Sequence, residues 1–308
     1  MQGPLVSVIV PNYNHAKYLD ERIGSILRQT YQNIEIIILD DKSPDNSVEV
    51  IERYRSNPKV SHIVLNEKNS GSTFIQWHRG MELAKGELIW IAESDDTCEP
   101  DMLEELVRGY LAHPTCTLLY VLSIFMDGDG VVYGKRLPER KPKFMSGTHF
   151  IHWYMSMDNY IKNASSVIFR KDCALRSDRA YMDYKGAGDR LLWIEIAEQG
   201  DVYMVNRQLN YFRRHKNVVT TRASLDGTNM KEDKKTYLYL EKKGYLKNPI
   251  MRYIILSCYR NMSFKMKLDN EDIRQELYEV WGCTKFNKFP SWAIQWLRWH
   301  WQAFIGEK

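Results

Sequence analysis

Residues 93–96 read Glu-Ser-Asp-Asp, three carboxylates within four positions. Like charges held that close repel one another, so the arrangement is costly unless a cation joins them. Hard oxygen donors suit Mg²⁺ or Mn²⁺, which commonly share their shell with substrate phosphates. A competing use for Asp96 is to cap a helix starting near Pro100. A second acidic pair, Asp40-Asp41, offers a carboxylate that could accept hydrogen bonds from a base or a sugar, or cap a helix starting near Pro44. Pro11-Asn12-Tyr13-Asn14 presents an aromatic ring that could stack on a base. The first strand-to-helix turn lacks GxGxxG, and GxxxxGK followed by Ser or Thr occurs nowhere. Those absences argue against a dinucleotide-dependent dehydrogenase and a P-loop nucleotidase.

All three polar clusters stand where buried strands stop. Val6–Val10, Ile34–Leu39, His62–Leu65, Leu88–Ala92 and Thr117–Val121 are short apolar runs. Between them Tyr18–Arg28, Val48–Tyr54, Thr73–Ala84 and Pro100–Tyr110 read as helices. Such alternation predicts an α/β fold, a Rossmann-like, mostly parallel sheet flanked by helices. Ligands bind beyond the carboxyl ends of strands in these sheets. That rule selects Pro11–His15, Asp40–Lys42 and Glu93–Asp96. Further along, Asp127-Gly-Asp-Gly130 predicts a turn between antiparallel strands, and Gly134–Phe144 is a basic loop. Ser165–Phe169, Val202–Val205 and Leu209–Phe212 are strand-like, and Gly188–Gln199 reads as a helix. After about Asn217 the pattern becomes polar helix.

The 308 residues are 44% hydrophobic and 27% charged, which excludes disorder and a collagen-like chain. Five cysteines, none in a CxxC pair, fit reduced thiols in a cytoplasm-like compartment. No basic, apolar leader opens the chain and no run of 18 apolar residues occurs, so the expectation is a cytoplasmic protein. Residues 1–100 carry a net charge of −5 and residues 201–308 a net charge of +9. A uniformly basic nucleic-acid binder would not be built this way, so no nucleic-acid partner is expected. The stretch 281–305 holds five of the nine tryptophans, with Trp292, Trp296 and Trp299 at helical spacing among Lys285, Lys288 and Arg298. Trp-rich basic helices lie in the membrane interface, here the inner face of the cytoplasmic membrane. The other reading is a terminal helix packed on this chain or on a second subunit of an oligomer.

Two long blocks resemble the family 2 glycosyltransferases, which have the GT-A fold. They are VSVIVPNYNHAKYLDERIGSILRQTYQNIEIIILDDKSPDNS and GSTFIQWHRGMELAKGELIWIAESDDTCEPDMLEELV. A weaker likeness continues through AGDRLLWIEIAEQGDVYMVNRQLNYFRRHKNVVT, so the resemblance spans roughly residues 5–221. It implies a catalytic domain over 1–221, with a nucleotide-sugar half of about 1–125 and an acceptor half of about 126–221, followed by a helical extension over 222–308.

The resemblance also implies roles. The family moves a sugar from a nucleotide-diphosphate sugar, usually of uridine, onto a glycan or lipid-linked acceptor in bacterial surface polysaccharide synthesis. It inverts the anomeric carbon in one metal-assisted displacement. Pro11, Tyr13 and Asn14 match the base-contacting loop, and Asp41, with Asp40 beside it, matches the acid that reads the base. Glu93-Ser94-Asp95 stands at the family's DxD position, with Glu in place of the first Asp. Asp95 would be the principal ligand of Mn²⁺ or Mg²⁺, and Glu93 would face the ribose or a metal-bound water. Asp189 matches the catalytic base, preceded by Gly188 where an acid is common. His215 matches a position that can join the metal or the diphosphate, Arg213 and Arg214 could neutralise leaving phosphates, and His78 could reach the diphosphate. Rival readings are a nucleotidyltransferase, which usually carries a Gly-rich phosphate loop near its start, and a nucleotide-sugar-binding protein without catalysis.

Overall fold

The computed structural model describes residues 3–215 and 219–283 of the chain. The apolar runs form the first four strands, β1 (Val6–Asn12), β2 (Ile34–Asp40), β3 (Val60–Leu65) and β4 (Leu88–Ile91). β1, β2 and β4 are buried at every position. Between and after them come α1 (Ala16–Leu27), α2 (Ser47–Glu52), α3 (Thr73–Leu83) and, beyond the short β5 (Thr97–Cys98), α4 (Met102–Ala112). The order β3-β2-β1-β4 is parallel throughout, with Val8 opposite both Ile36 and Trp90.

Beyond β4 the sheet becomes mixed. The chain continues through β6 (Cys116–Asp127), β7 (Val132–Tyr133), β8 (Lys143–Ser146), α5 (Gly147–Phe150), β9 (Val167–Arg170), α6 (Lys171–Leu175), α7 (Gly188–Ala197) and β10 (Asp201–Arg214). β9 enters antiparallel between β4 and β6, while β6 and β10 run parallel. The expected turn at 127–130 joins β6 to β7 as an antiparallel pair. The two strand-like segments at 202–205 and 209–212 are one strand, β10, interrupted by register shifts between Val205 and Asn210. An irregularity of that kind breaks the alternation that periodicity detects.

Strand alternation sorts the apolar residues onto two faces. Val8, Val10, Ile36, Ile38 and Trp90 pack under α1, α2 and α4. Ile9, Ile37, Leu39, Ile89 and Ile91 pack under α3 and α7. After β10 come α8 (Val219–Leu225), α9 (Thr228–Lys242), α10 (Pro249–Lys265) and α11 (Glu271–Trp281), and the second core extends into the last three. Met230, Tyr237, Ile255, Tyr259 and Trp281 belong to it. The Trp281 indole stacks on Tyr259 at 4.2 Å and donates to the Met230 carbonyl at 3.2 Å. The remaining tryptophans of the 281–305 stretch lie outside the described residues. No helix among the described residues is long and apolar enough to cross a membrane.

Candidate active site

The loops beyond β1, β2 and β4 open into a cleft of about 610 Å³. Its walls include Pro11, Tyr13, Asn14, Asp41, Glu93, Ser94, Asp95, Asp189 and His215. Asp40, His78, Arg213 and Arg214 are not among its lining residues.

The two adjacent acids at the end of β2 do different things. Asp40 is buried beneath the loops: it accepts from the Asn12 amide at 2.7 Å, the Ser43 hydroxyl at 2.5 Å and the Ser43 N–H at 2.9 Å. The Ser43 hydroxyl accepts in turn from the Asn14 N–H at 2.9 Å. That lattice holds Asn14 and Lys42 in the left-handed region, at φ 59° and 62°. Asp41, on the cleft side, accepts from Asn66 at 2.7 Å, the Ser70 hydroxyl at 2.7 Å and the Gln76 amide at 3.0 Å. The acid is therefore locked in one orientation by the loop after β3 and by α3. Tyr13 stands exposed at the mouth.

Asp95 follows β4 and meets residues from two distant parts of the chain. Its Oδ2 lies 3.1 Å from Nε2 of His215, just past β10. His15, just past β1, has Nδ1 2.9 Å from the Ser94 hydroxyl. Ligand-capable atoms of His15, Asp95 and His215 all lie within 4.8 Å of one another. Burial pushes the Asp95 carboxyl up, but the His215 hydrogen bond and the two imidazoles outweigh it, leaving the group below its ordinary value. Burial lowers the His15 pKa, which favours the neutral ring, the form that ligates metals.

Two more carboxylates crowd this point. Glu93 accepts from the Trp77 indole N–H at 2.8 Å. Burial, then the charges of Asp95 and Asp96, push it up to about 8. Asp96 accepts from Asn163 at 2.8 Å, the Ser165 hydroxyl at 2.6 Å and the Arg213 N–H at 2.9 Å. Burial and Asp95 push it up to about 7. Asp96 thus ties the turn before β9, and β10 itself, to the acidic loop, which is more than the helix cap open to it in the sequence. Crowded, buried carboxylates gain from a divalent cation, and one carboxylate with two imidazoles is a donor set that fits such an ion. The set is softer than the all-oxygen shells typical of Mg²⁺. Glu93 is not a member of that three-residue group.

Asp189 faces the same cleft from the second residue of α7. Its two oxygens accept from the Arg190 N–H and the Asn159 amide, both at 2.8 Å. Burial pushes its pKa up to about 6, into the range useful to a general base. The glycine before it has a packing cause. A Cβ at Gly188 would lie 2.5 Å from the Tyr181 carbonyl and 2.9 Å from Phe74.

The remaining basic residues stand apart. Arg213 is buried and donates to the Asp95 carbonyl at 2.6 Å and to Glu21, bracing the acidic loop from behind. Arg214 is exposed, its guanidinium 5.6 Å from the Phe125 ring. His78 is buried, with Nδ1 2.9 Å from the Tyr181 hydroxyl and Nε2 3.4 Å from Glu82. His15, Asn159 and the Trp77–Glu93 bond were not assigned roles from the sequence. His15 was within reach of sequence reasoning, being the next residue of the PNYN loop. Asn159 carried no local signal, because its partner is 30 residues away.

Three comparisons bear on this geometry. The model of the family "Glycosyl transferase family 2" matches residues 7–181. The glycosyltransferase GlyG of Streptococcus pneumoniae serotype 4 is 45% identical over 104 residues, 34% of this chain and 34% of GlyG. The putative teichuronic acid biosynthesis glycosyltransferase TuaG of Bacillus subtilis is 31% identical over 132 residues, 43% of this chain and 52% of TuaG. The matches thus span about a third to a half of these curated relatives. Among solved structures, residues 1–349 of S. aureus TarS in complex with UDP-GlcNAc superpose with a TM-score of 0.67 at 19% identity, covering 90% of this chain and 80% of that one. The overall architecture is the GT-A fold.

Proposed function

The chain belongs to glycosyl transferase family 2, and from that premise we propose that it moves a sugar from a uridine diphosphate sugar to a glycan or lipid-linked acceptor in surface polysaccharide synthesis. The observation that carries this reading is a single cleft lined both by Tyr13, Asp41 and Asp95 of the first half and by Asp189 of the second. A uracil ring would stack on Tyr13 and read the fixed carboxylate of Asp41. The structural neighbour TarS 1–349 in complex with UDP-GlcNAc, and the putative teichuronic acid biosynthesis glycosyltransferase TuaG, support the same donor and product classes.

Asp95, His215 and His15 would hold a divalent ion, Mn²⁺ or Mg²⁺. When bound, that ion would supply positive charge to the departing diphosphate. The chain's own residues do the rest. Asp189 takes the proton from the acceptor hydroxyl as that oxygen attacks the anomeric carbon. Its raised pKa makes it basic enough to accept the proton yet still ionised at neutral pH. Attack from the face opposite the leaving group inverts the anomeric centre. Arg213, held by Glu21 and by backbone carbonyls, fixes the acidic loop rather than reaching the phosphates.

The experiment is turnover of a UDP-sugar panel with Mn²⁺, read as UDP release, with product anomeric configuration determined by NMR. Release of UDP with an inverted product agrees with the reading. Retention of configuration would refute the single displacement, and tight nucleotide binding without turnover on any donor would refute catalysis.

A further inference from the structure

The helix that begins at Gly188 starts without a cap of its own. Its N-cap residue is Ala187, which has no side-chain acceptor, although helix starts leave N–H groups in need of partners. The partner comes from α9, across 45 residues of chain. The Glu232 carboxylate accepts from the N–H groups of Lys185 at 2.5 Å, Gly186 at 3.0 Å and Ala187 at 2.8 Å. Glu232 itself is only 4% exposed. A buried anion at this end of α7 is also favoured by the helix dipole.

The next residue grips the other side of Asp189. Asp233 pairs with Arg190 at 2.6 Å, and Arg190 in turn donates to the Met155 carbonyl at 2.6 Å. Close packing completes the hold, since a Cβ at Gly186 would lie 2.1 Å from Oδ1 of Asn229 on α9. Consecutive acids of α9 therefore fix the backbone before Asp189 and the side chain after it. With the preceding N–H groups satisfied by Glu232, each Asp189 oxygen carries a single hydrogen bond among the described residues. A carboxylate oxygen has a further lone pair to offer.

We infer that Glu232 is a positioning residue for sugar transfer, setting the 185–187 loop and through it the direction of Asp189. The inference rests on the reading of Asp189 as the general base. It makes the helices beyond residue 221 part of the catalytic apparatus, although none of their described residues lines the cleft.

The test uses the full chain and the UDP-sugar that it turns over fastest. Glu232→Gln keeps the shape but can satisfy only one side of the three N–H groups, and Glu232→Asp keeps the charge on a shorter stem. Misplacement of a catalytic group by about 1 Å costs on the order of 10²-fold. Both variants should therefore lose about 10- to 100-fold in kcat, with Kd for UDP and Mn²⁺ within about twofold of the unaltered chain. Glu232→Gln combined with Asp189→Asn should be no slower than Asp189→Asn alone, because the two act through one group. Losses that multiply in the double variant, or that appear equally in kcat and nucleotide affinity, mark a general structural role and overturn the inference. Normal kcat in Glu232→Gln beside a disabled Asp189→Asn overturns it alone. Normal transfer by Asp189→Asn overturns the base assignment and this inference with it.

Discussion

Nε2 of His215 lies 3.1 Å from Oδ2 of Asp95, which joins the end of β10 to the loop beyond β4 at the floor of the cleft. Residues 120 positions apart thereby meet at the one point where the chain also brings His15. That convergence gives the first expectation. UDP should bind much more tightly with Mn²⁺ than in EDTA, and Asp95→Ala should abolish the difference. His215→Ala and His15→Ala should each weaken Mn²⁺ by at least about 10-fold, since even outer partners of metal ligands cost 10- to 100-fold. Titration calorimetry decides it. Equal UDP affinity with and without metal would rule out the shared ion.

Base recognition separates into two measurable effects. Asp41→Ala should weaken UDP and also lower stability by about 1–3 kcal/mol, because Ser70 and Gln76 lose their buried acceptor. Tyr13 is 48% exposed, so Tyr13→Ala should weaken UDP with no change in melting temperature. Unchanged UDP affinity in both variants would move the base away from these loops.

Much of this was legible because buried strands read as continuous apolar runs and ligands sit where they end. The loops at 11–15, 40–42 and 93–96 followed from that alone. The division of labour between Asp40 and Asp41 did not. Neighbouring residues at a strand end point to opposite sides, and register decides which one faces the cleft. The continuity of β10 was hidden by its irregularity near Asn206, and the antiparallel entry of β9 has no local sequence signature. Glu232, Asn159 and Arg190 act through partners 30 to 47 residues distant, a separation that no periodicity reports.

Gly188 offers a test of packing. Gly188→Ala places a methyl group 2.5 Å from the Tyr181 carbonyl, and overpacking of this kind typically costs about 1–3 kcal/mol. The variant should melt lower, and Gly188→Asp lower still. An unshifted melting temperature would show that the loop yields freely, and the glycine would need another explanation.

Asp189 also makes a pH prediction. Burial raises its folded-state pKa from 3.8 to about 6, so between these values the folded state holds a proton that the unfolded state has released. Stability therefore falls as pH rises through that window, and the ionised group is a burden above it. Glu93 and Asp96, raised to about 8 and about 7, slope the profile in the same direction, so Asp189→Asn should lessen the slope between about pH 4 and 6 by one group's share and melt no lower than the unaltered chain at pH 7. Transfer by the unaltered chain should rise with pH along a limb centred near 6, as the base loses its proton. A stability profile that keeps its full slope in the Asn variant would assign the proton elsewhere.

The decisive measurement is sugar transfer by Asp189→Asn, with UDP affinity and melting temperature taken on the same sample. Asn preserves the shape and the bond to the Arg190 N–H but cannot take a proton. Removal of a general base costs about 10²–10⁴ in rate. The result predicted is that loss in kcat, with UDP bound as tightly as before, because the nucleotide is proposed to rest on Tyr13, Asp41 and Asp95. Near-normal transfer by the Asn variant would contradict the assignment and remove Asp189 from the reaction.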